Sequence, residues 1–387
     1  MEFIKLEDLC YIITDGTHQT PTYSNEGYIF LSSKNVTSGK IDWNNVKYIS
    51  EELHNQLSKR LKPQRNDILL AKNGTTGVAA LVDRDEVFDI YVSLALLRPK
   101  EIIHPQYLLH IVNSPMTKRQ FNKSLKGIGV PNLHLKEIRN IEIPVPSTIE
   151  AQKKIVEVLD KAQGLIDKRK EQIKALDELV KSRFIEMFGN LNDENQIALN
   201  ECTNFIDYRG KTPTLSETGI RMINAKSVGN GVFKYIEEYI SEETYNSWMK
   251  RGFPVAGDVL FVTEGHTFGN VCRIPNDLQK FAMGQRVITI QGNRGILNNA
   301  FLAQYMQTMA FKIKIDKYKT GSSAQGIRSK ELQKILIPIP QIEVQNKFAV
   351  FVKKVDKLKF DMENSLKELE DNFNSLMQKA FKGKLFN

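Results

Sequence analysis

Two long amphipathic segments dominate the pattern of apolar and polar positions along the chain. The first follows two prolines, Pro144 and Pro146, and ends near Gly189, with apolar residues recurring at alternating steps of four and three. Proline lacks the N–H that a helix interior requires, so we predict a helix that begins after Pro146, with Ser147 and Thr148 as N-cap residues. About forty residues rising ~1.5 Å each would form a helix about 60 Å long.

The same pattern returns after Pro338 and Pro340 and ends near Gly383. Neither helix can bury its apolar seam alone, so we predict that the two helices pack on each other as a coiled coil. The spacing by itself allows a parallel or an antiparallel pair. The residues that we assign to this packing are Ile155, Leu159, Ile166, Ile173, Leu176 and Val180 in the first helix and Phe348, Val352, Val355, Leu366, Leu369 and Phe373 in the second.

The duplication extends beyond the helices. The segment TPTYSNEGYIFLSSKNVTSGKI from Thr20 matches TPTLSETGIRMINAKSVGNGVF from Thr212, and PQRNDILLAKNG from Pro63 matches PVAGDVLFVTEG from Pro254. Self-similarity at a nearly fixed offset indicates a repeated architecture. We therefore expect two similar domains, residues 1–143 and 191–337, each followed by a long helix, residues 144–190 and 338–387.

Short β-branched and aromatic runs predict strands within each domain. They are YIFLSS, DILLAK and IYVSLALL in the first domain and IRMINA, DVLFVT and RVITIQ in the second. The stretches from Pro105 to Lys123 and from Asn299 to Lys317 predict helices. The expected fold class is therefore α/β (α+β).

Composition and charge exclude only some classes of function. The chain has 54 Lys+Arg against 45 Asp+Glu, a net charge of +9 that suits a polyanionic partner about as well as a solvated basic surface. Cys10, Cys202 and Cys272 form no CxxC pair, so we predict neither a zinc site nor a disulfide framework, and reduced thiols indicate a cytoplasmic protein. The N-terminal MEFIKLEDLC is unlike a signal peptide, and no apolar run is long enough to span a membrane.

The common sequence signatures of catalysis are missing. The sequence contains no GxxxxGK[ST], no GxGxxG between a strand and a helix, no GxSxG and no HExxH. It also lacks the Asn-Pro-Pro-aromatic tetrapeptide with which amino-methyltransferases hold a flipped base. We therefore predict a chain that is not an enzyme and that carries no catalytic residue, metal or cofactor of its own.

Three pairs of polar loops recur at matching positions in the two halves. Their Arg, Lys, Gln, Asn and Thr side chains suit base edges and phosphates. An ordinary surface turn explains any one loop better, because turns favour the same residues, but recurrence in register with different charges favours binding. We assign nucleic-acid contacts to Thr17, His18, Gln19, Thr20, Lys34, Lys72, Asn73, Thr75, Thr76 and Lys126 in the first half and to Arg209, Lys211, Thr212, Lys226, Thr263, His266, Ser322, Ser323 and Gln325 in the second.

Together these features resemble the specificity subunit of type I restriction–modification systems. The resemblance rests on DGTHQTP and SSKNV in the first half, on YRGKTP in the second and on the IPxP motif before each long helix, and it covers essentially the whole chain. It implies that each domain is a target-recognition domain for one half of a split, asymmetric site in double-stranded DNA. It also implies that the two long helices pack antiparallel as a spacer.

The resemblance further implies partners that supply the chemistry. Two methylation subunits would dock on the helices and use S-adenosylmethionine to methylate adenine after flipping it out of the duplex. Restriction subunits, where present, would add an ATP- and Mg-dependent motor and nuclease. A different hypothesis is a non-catalytic coiled-coil adaptor that assembles proteins. The two differ in salt dependence, because only DNA binding must weaken steeply as salt rises.

Overall fold

The computed structural model describes residues 1–124, 132–189, 191, 194–210, 212–321 and 325–386. The chain divides into two compact units, Met1–Glu171 with Asn364–Asn387 and Gln172–Glu363. Each unit therefore contains the strands of one half of the sequence and parts of both long helices.

The first unit is built on a four-stranded antiparallel sheet, a three-stranded sheet and a two-stranded pair. Its strands are β1 (Glu2–Lys5), β2 (Cys10–Asp15), β3 (Tyr28–Leu31), β4 (Lys47–Ile49), β5 (Ile68–Ala71), β6 (Ala79–Leu81), β7 (Phe88–Ile90), β8 (Leu94–Pro99) and β9 (Glu142–Val145). Its helices are α1 (Leu6–Leu9), α2 (Glu51–Leu57), α3 (Pro105–Asn113), α4 (Pro115–Ser124), α5 (Leu135–Arg139) and the first part of α6 (Ile149–Phe188). The sheet orders are β2-β8-β5-β6, β4-β3-β7 and β1-β9.

The second unit repeats this plan. Its strands are β10 (Gln196–Ala198), β11 (Thr203–Asp207), β12 (Ile220–Ile223), β13 (Tyr239–Ile240), β14 (Val259–Val262), β15 (Val271–Arg273), β16 (Phe281–Met283), β17 (Val287–Gly292) and β18 (Leu336–Pro338). Its helices are α7 (Leu199–Cys202), α8 (Glu242–Trp248), α9 (Asn299–Tyr305), α10 (Met309–Asp316), α11 (Ser329–Gln333) and the first part of α12 (Ile342–Phe381). The sheet orders β11-β17-β14-β15, β13-β12-β16 and β10-β18 match those of the first unit strand for strand, which confirms the internal repeat.

Three predicted elements are each divided in the structure. The run IYVSLALL forms the end of β7 and the start of β8, because Tyr91 donates its N–H to Leu31 of the three-stranded sheet before the chain enters the four-stranded one. The predicted helix from Pro105 breaks at Ser114, which is extended because Pro115 follows it. In the second unit α9 ends at Tyr305 and Thr308 caps α10, so the stretch from Asn299 also forms two helices.

Both long helices begin as the sequence predicts. Thr148 Oγ1 accepts a hydrogen bond from the backbone of Ala151 at 3.2 Å, which caps α6. A buried glutamine in the first turn of each helix then fixes the helix to its unit. Gln152 accepts from the His104 N–H at 2.7 Å, and its counterpart Gln345 accepts from the Asn298 N–H at 2.9 Å.

The helices run antiparallel in each unit. In the first unit Leu159, near the start of α6, shares a core with Phe381 at the end of α12. In the second unit Phe188, at the end of α6, packs edge-on against Phe348 at the start of α12 with ring centroids 5.6 Å apart. Of the residues assigned to the seam, Ile155, Leu159, Ile166, Leu176, Phe348, Val352 and Val355 are buried, and Ile173, Val180, Leu366, Leu369 and Phe373 are half-buried.

Candidate nucleic-acid interface

Polar loops of the first unit meet at one edge of its four-stranded sheet. Strands β2 and β5 both run antiparallel to β8, so they end at the edge where β8 begins. The parallel strands β3 and β7 end beside them, because Thr17 pairs with Tyr91, the residue after β7. Asn73, which follows β5, pairs in turn with Asn132, next to the third polar loop. Segments far apart in the sequence thus form one polar surface.

We call the polar surface formed by the loops after β2, β5 and β7 the first recognition surface. Its side chains present hydroxyl, amide, imidazole and ammonium groups, and Thr20 Oγ1 lies 3.1 Å from the Tyr91 hydroxyl. Among the predicted contacts Lys126 lies outside the described residues. The exposed members are His18, Gln19, Thr20, Lys34 and Thr75, and the half-buried members are Thr17, Asn73 and Thr76.

Lys72 has a different role from the predicted DNA contact. Its side chain is only 7% exposed, and its ammonium lies 2.5 Å from the Asp15 carboxylate, which is itself 9% exposed. A lysine that is buried and paired in this way cannot also reach a phosphate. Its counterpart Thr263 is fully buried and donates its hydroxyl to the Arg286 carbonyl at 3.2 Å. Both residues therefore support the loops and do not face a ligand.

The second unit forms an equivalent surface. Strands β11 and β14 end at the edge where β17 begins. The loop after β11 is held to this edge by Gln285, whose side-chain amide donates to the Gly210 carbonyl at 3.1 Å. The loop after β14 meets the third loop through Gly265, whose N–H donates to the Gln325 carbonyl at 2.9 Å.

The second recognition surface differs from the first in its charges. Arg209 and Asp207 form a bidentate ion pair, with Nε–Oδ1 and Nη2–Oδ2 distances of 2.9 and 2.7 Å. Burial alone would raise the pKa of Asp207, but hydrogen bonds from Arg209 outweigh it and lower that pKa. Lys226 is exposed and pairs with Glu238 at 2.5 Å. Thr212, His266 and Gln325 are exposed, whereas Lys211, Ser322 and Ser323 lie outside the described residues.

Sequence reasoning missed several side chains of these surfaces. Arg286 precedes β17 in a left-handed backbone conformation with φ of 64°, and its exposed side chain pairs with Glu264 at 3.1 Å. Arg60 and Arg251 follow equivalent helices and donate to the carbonyls at the ends of β2 and β11. These arginines lie before or after predicted elements, and the sequence does not show that they meet at the same sheet edge, because that depends on the order of the strands.

Neither a metal-binding cluster nor a membrane-spanning helix is found in the part of the chain that the structure describes. No group of His, Cys, Asp and Glu side chains there could hold a metal ion. None of the helices in the same ranges combines the length and apolar character needed to cross a membrane.

Duplicated sheets with divergent polar loops at matching strand ends define a class of protein, a chain of two related α+β domains. Comparison with known proteins makes the class specific. The family described as "Type I restriction modification DNA specificity domain" matches residues 1–176 and 207–371. The chain therefore belongs to this family, and its role is DNA target recognition.

Individual relatives agree with this assignment. The MjaVIII specificity subunit of Methanocaldococcus jannaschii is 23% identical, over 93% of this chain and 87% of the relative. The EcoKI specificity subunit of Escherichia coli K12 is 19% identical, over 96% of this chain and 86% of the relative. A type I restriction–modification S subunit from M. genitalium shares the fold, with a TM-score of 0.55 and 15% identity over 98% of this chain and 96% of that one.

Proposed function

We propose that the chain reads a bipartite, asymmetric site in double-stranded DNA, with one recognition surface for each half-site. The observation that carries this proposal is the repetition of one scaffold with different side chains at its loops. Asp15 and its counterpart Asp207 have different cationic partners, Lys72 and Arg209. Two surfaces with different hydrogen-bonding groups suit two different base sequences, which an asymmetric site requires.

Arginine is the side chain of the second surface best suited to base or phosphate recognition. The guanidinium of Arg209 is already held in a planar, bidentate geometry by Asp207, and the same geometry fits guanine O6 and N7 or a phosphate. Arg286 lies on the adjoining loop with its side chain 57% exposed. DNA binding would exchange the protein carboxylates for DNA acceptors, so these two arginines are our leading contacts in the second half.

On the first surface we propose that hydroxyl and amide groups read the bases, since its one buried lysine is unavailable. His18, Gln19 and Thr20 lie on the exposed loop after β2, and Thr75 lies after β5. Lys34 is exposed beside them and suits a phosphate, which fixes register without reading sequence.

We also propose the division of labour that follows. Residues 1–143 and 191–337 act as target-recognition domains, and the two long helices act as a spacer and as a docking site for two methylation subunits. S-adenosylmethionine, ATP and Mg would be bound by the methylation and restriction subunits, and the complex would work in the cytoplasm. The chain itself would be a non-catalytic subunit of a DNA methyltransferase or site-specific deoxyribonuclease.

Methylome sequencing tests the proposal. A host without DNA methylation would carry this gene with its neighbouring methyltransferase gene, and the control would lack only this gene. We expect a split motif, with adenine methylated in both halves, that depends on this chain. Methylation identical in the control would refute the proposal and favour the assembly-adaptor hypothesis. DNA binding that did not weaken between about 50 and 200 mM salt would argue the same way.

A further inference from the structure

Lys72 connects the loops of the first recognition surface. Its backbone N–H donates to the Ser93 carbonyl at 2.8 Å, and its carbonyl accepts from the N–H of Leu133, just after the third loop, at 3.0 Å. Its ammonium reaches the loop after β2 through the buried ion pair with Asp15. A single residue therefore holds together three segments that are distant in the sequence.

Asp15 extends this connection to the exposed end of its loop. One carboxylate oxygen lies 2.5 Å from the Lys72 ammonium, and the other lies 3.5 Å from Nε2 of His18. The Asp15 carbonyl accepts a hydrogen bond from Arg60 at 2.7 Å. Because water is largely excluded, leaving either charge of the pair without its partner is costly, so the pair favours one arrangement of the loop.

The second unit keeps the backbone part of this connection without the ion pair. Thr263 stands where Lys72 stands, and its N–H donates to the Arg286 carbonyl at 2.9 Å while its own carbonyl accepts from Ile327 at 2.9 Å. Asp207, the counterpart of Asp15, pairs with Arg209 of its own loop. The repeat thus separates two contributions: backbone bonds common to both units, and a buried ion pair between loops in the first unit.

We propose that the Lys72–Asp15 ion pair positions the first recognition surface and that breaking it relaxes the reading of one half-site only. Lys72 acts here as a positioning residue, because its ammonium is buried against the Asp15 carboxylate. Without Lys72 the Asp15 carboxylate must move towards water, and the loop that carries His18, Gln19 and Thr20 moves with it. The inference rests on the proposed function of a two-part reader.

The test uses Lys72→Met, which removes the charge and keeps an apolar stem. The variant would be assayed in complex with the methylation subunits. We expect its discrimination against single-base changes in one half-site to fall about tenfold, since one mismatch carries a penalty of that order. The other half-site should be read as before. The matched control is Arg65→Met, which removes an exposed ion pair with Asp85 at the opposite end of β5 and should change neither half-site.

Two further variants separate positioning from folding. The double variant Asp15→Lys, Lys72→Asp exchanges the two charges of the pair. It should recover part of the discrimination that Lys72→Met loses. Lys72→Arg, which keeps the charge, should lose less than Lys72→Met. Unchanged discrimination in Lys72→Met, or equal relaxation at both half-sites, would overturn the inference while leaving the two-part reader intact.

Hydrogen exchange gives a readout that does not depend on the proposed function. In the purified chain Lys72→Met should speed exchange of the Thr17 N–H, which donates to the Ile90 carbonyl at 3.0 Å. Unchanged exchange of this amide would exclude positioning of the loop by the ion pair. Absence of any chain-dependent methylation with the wild type would instead refute the proposed function.

Discussion

One buried carboxylate in each unit lies at the start of an equivalent strand but has different partners. Asp67, before β5, accepts two hydrogen bonds from Arg98 at 2.8 and 2.7 Å. Asp258, before β14, accepts from the side-chain amides of Gln291 at 2.7 Å and Asn299 at 3.2 Å. Burial raises the pKa of Asp258. We predict that Asp67→Asn destabilises the protein much more than Asp258→Asn does.

The expected magnitudes follow from these contacts. Removing one partner of a buried ion pair costs about 3–5 kcal/mol, and because the Arg98 side chain is 21% exposed we expect the lower end for Asp67→Asn. Asp258→Asn sacrifices one hydrogen bond from a neutral amide to the carboxylate, worth about 1.5–3 kcal/mol. It also removes a buried charge whose hydrogen-bond partners in the described chain are all neutral, which offsets part of that loss. The net cost should be about 1–2 kcal/mol, below that of Asp67→Asn.

The two tryptophans provide an assay for each unit. Trp43 belongs to the first unit and Trp248 to the second. Trp43 donates to Asp83 at 2.9 Å and Trp248 to the Met283 carbonyl at 2.7 Å, so unfolding should change the fluorescence of both. Single-tryptophan variants would be titrated with urea. With a slope of about 2–3 kcal/mol per molar urea, Asp67→Asn should lower the midpoint by about 1 M or more.

A third variant makes this comparison sharper. Gln291 occupies the sheet position of Arg98, so Gln291→Arg should give Asp258 the cation that it lacks, and Asp258→Asn in that background should become costly. Equal midpoint shifts for Asp67→Asn and Asp258→Asn would refute the reasoning. A larger shift for Asp258→Asn would do the same, because the cost would then not depend on the cationic partner.

Three further predictions address pH, assembly and specificity. The folded-state pKa of Asp258 lies above its ordinary value of 3.8. The protonated carboxyl therefore stabilises the fold at pH below 3.8, and this contribution is lost as the pH rises through the folded-state pKa. The urea midpoint of the wild type, relative to that of Asp258→Asn, should fall with rising pH. Leu366→Asp together with Leu369→Asp should abolish assembly of the complex, as measured by size-exclusion chromatography. Unchanged assembly would show that this part of the seam faces solvent. Exchange of residues 1–143 for those of another family member should change one half-site in the methylome, and a change in both would contradict modular reading.

Much of the fold could be predicted because its signals are local. The prolines before each long helix, the Thr148 cap and the repeat offsets require only short stretches of sequence. The break before Pro115 was not predicted, although proline disfavours helix in the residue before it. The division of IYVSLALL between two sheets could not be predicted, because Leu31 and Thr17, the residues that pair with Tyr91, are distant in the sequence.

The candidate site was predictable in its location but less so in its chemistry. Polar loops after strands can be found by pattern, whereas exposure depends on sheet order. Lys72 follows Ile68–Ala71, a strand buried at every position, and such strands lack the alternation that would show which way the next side chain points. The partner that buries its charge, Asp15, lies in a different loop. Arg286 was missed for a related reason, because its contact with Glu264 joins two strands that are not consecutive.

The repeat also explains how two surfaces can diverge on one scaffold. The bonds common to both units are made by the backbone, as when Lys72 and Thr263 accept from Leu133 and Ile327, and they do not depend on side-chain identity. The contacts that differ are between side chains, as with Asp67 to Arg98 against Asp258 to Gln291. A scaffold held by backbone bonds can keep its fold when two contacting side chains are exchanged together, although removing one member of a buried pair is costly. The two unlike half-sites that we propose would require this property, whereas two identical half-sites would not.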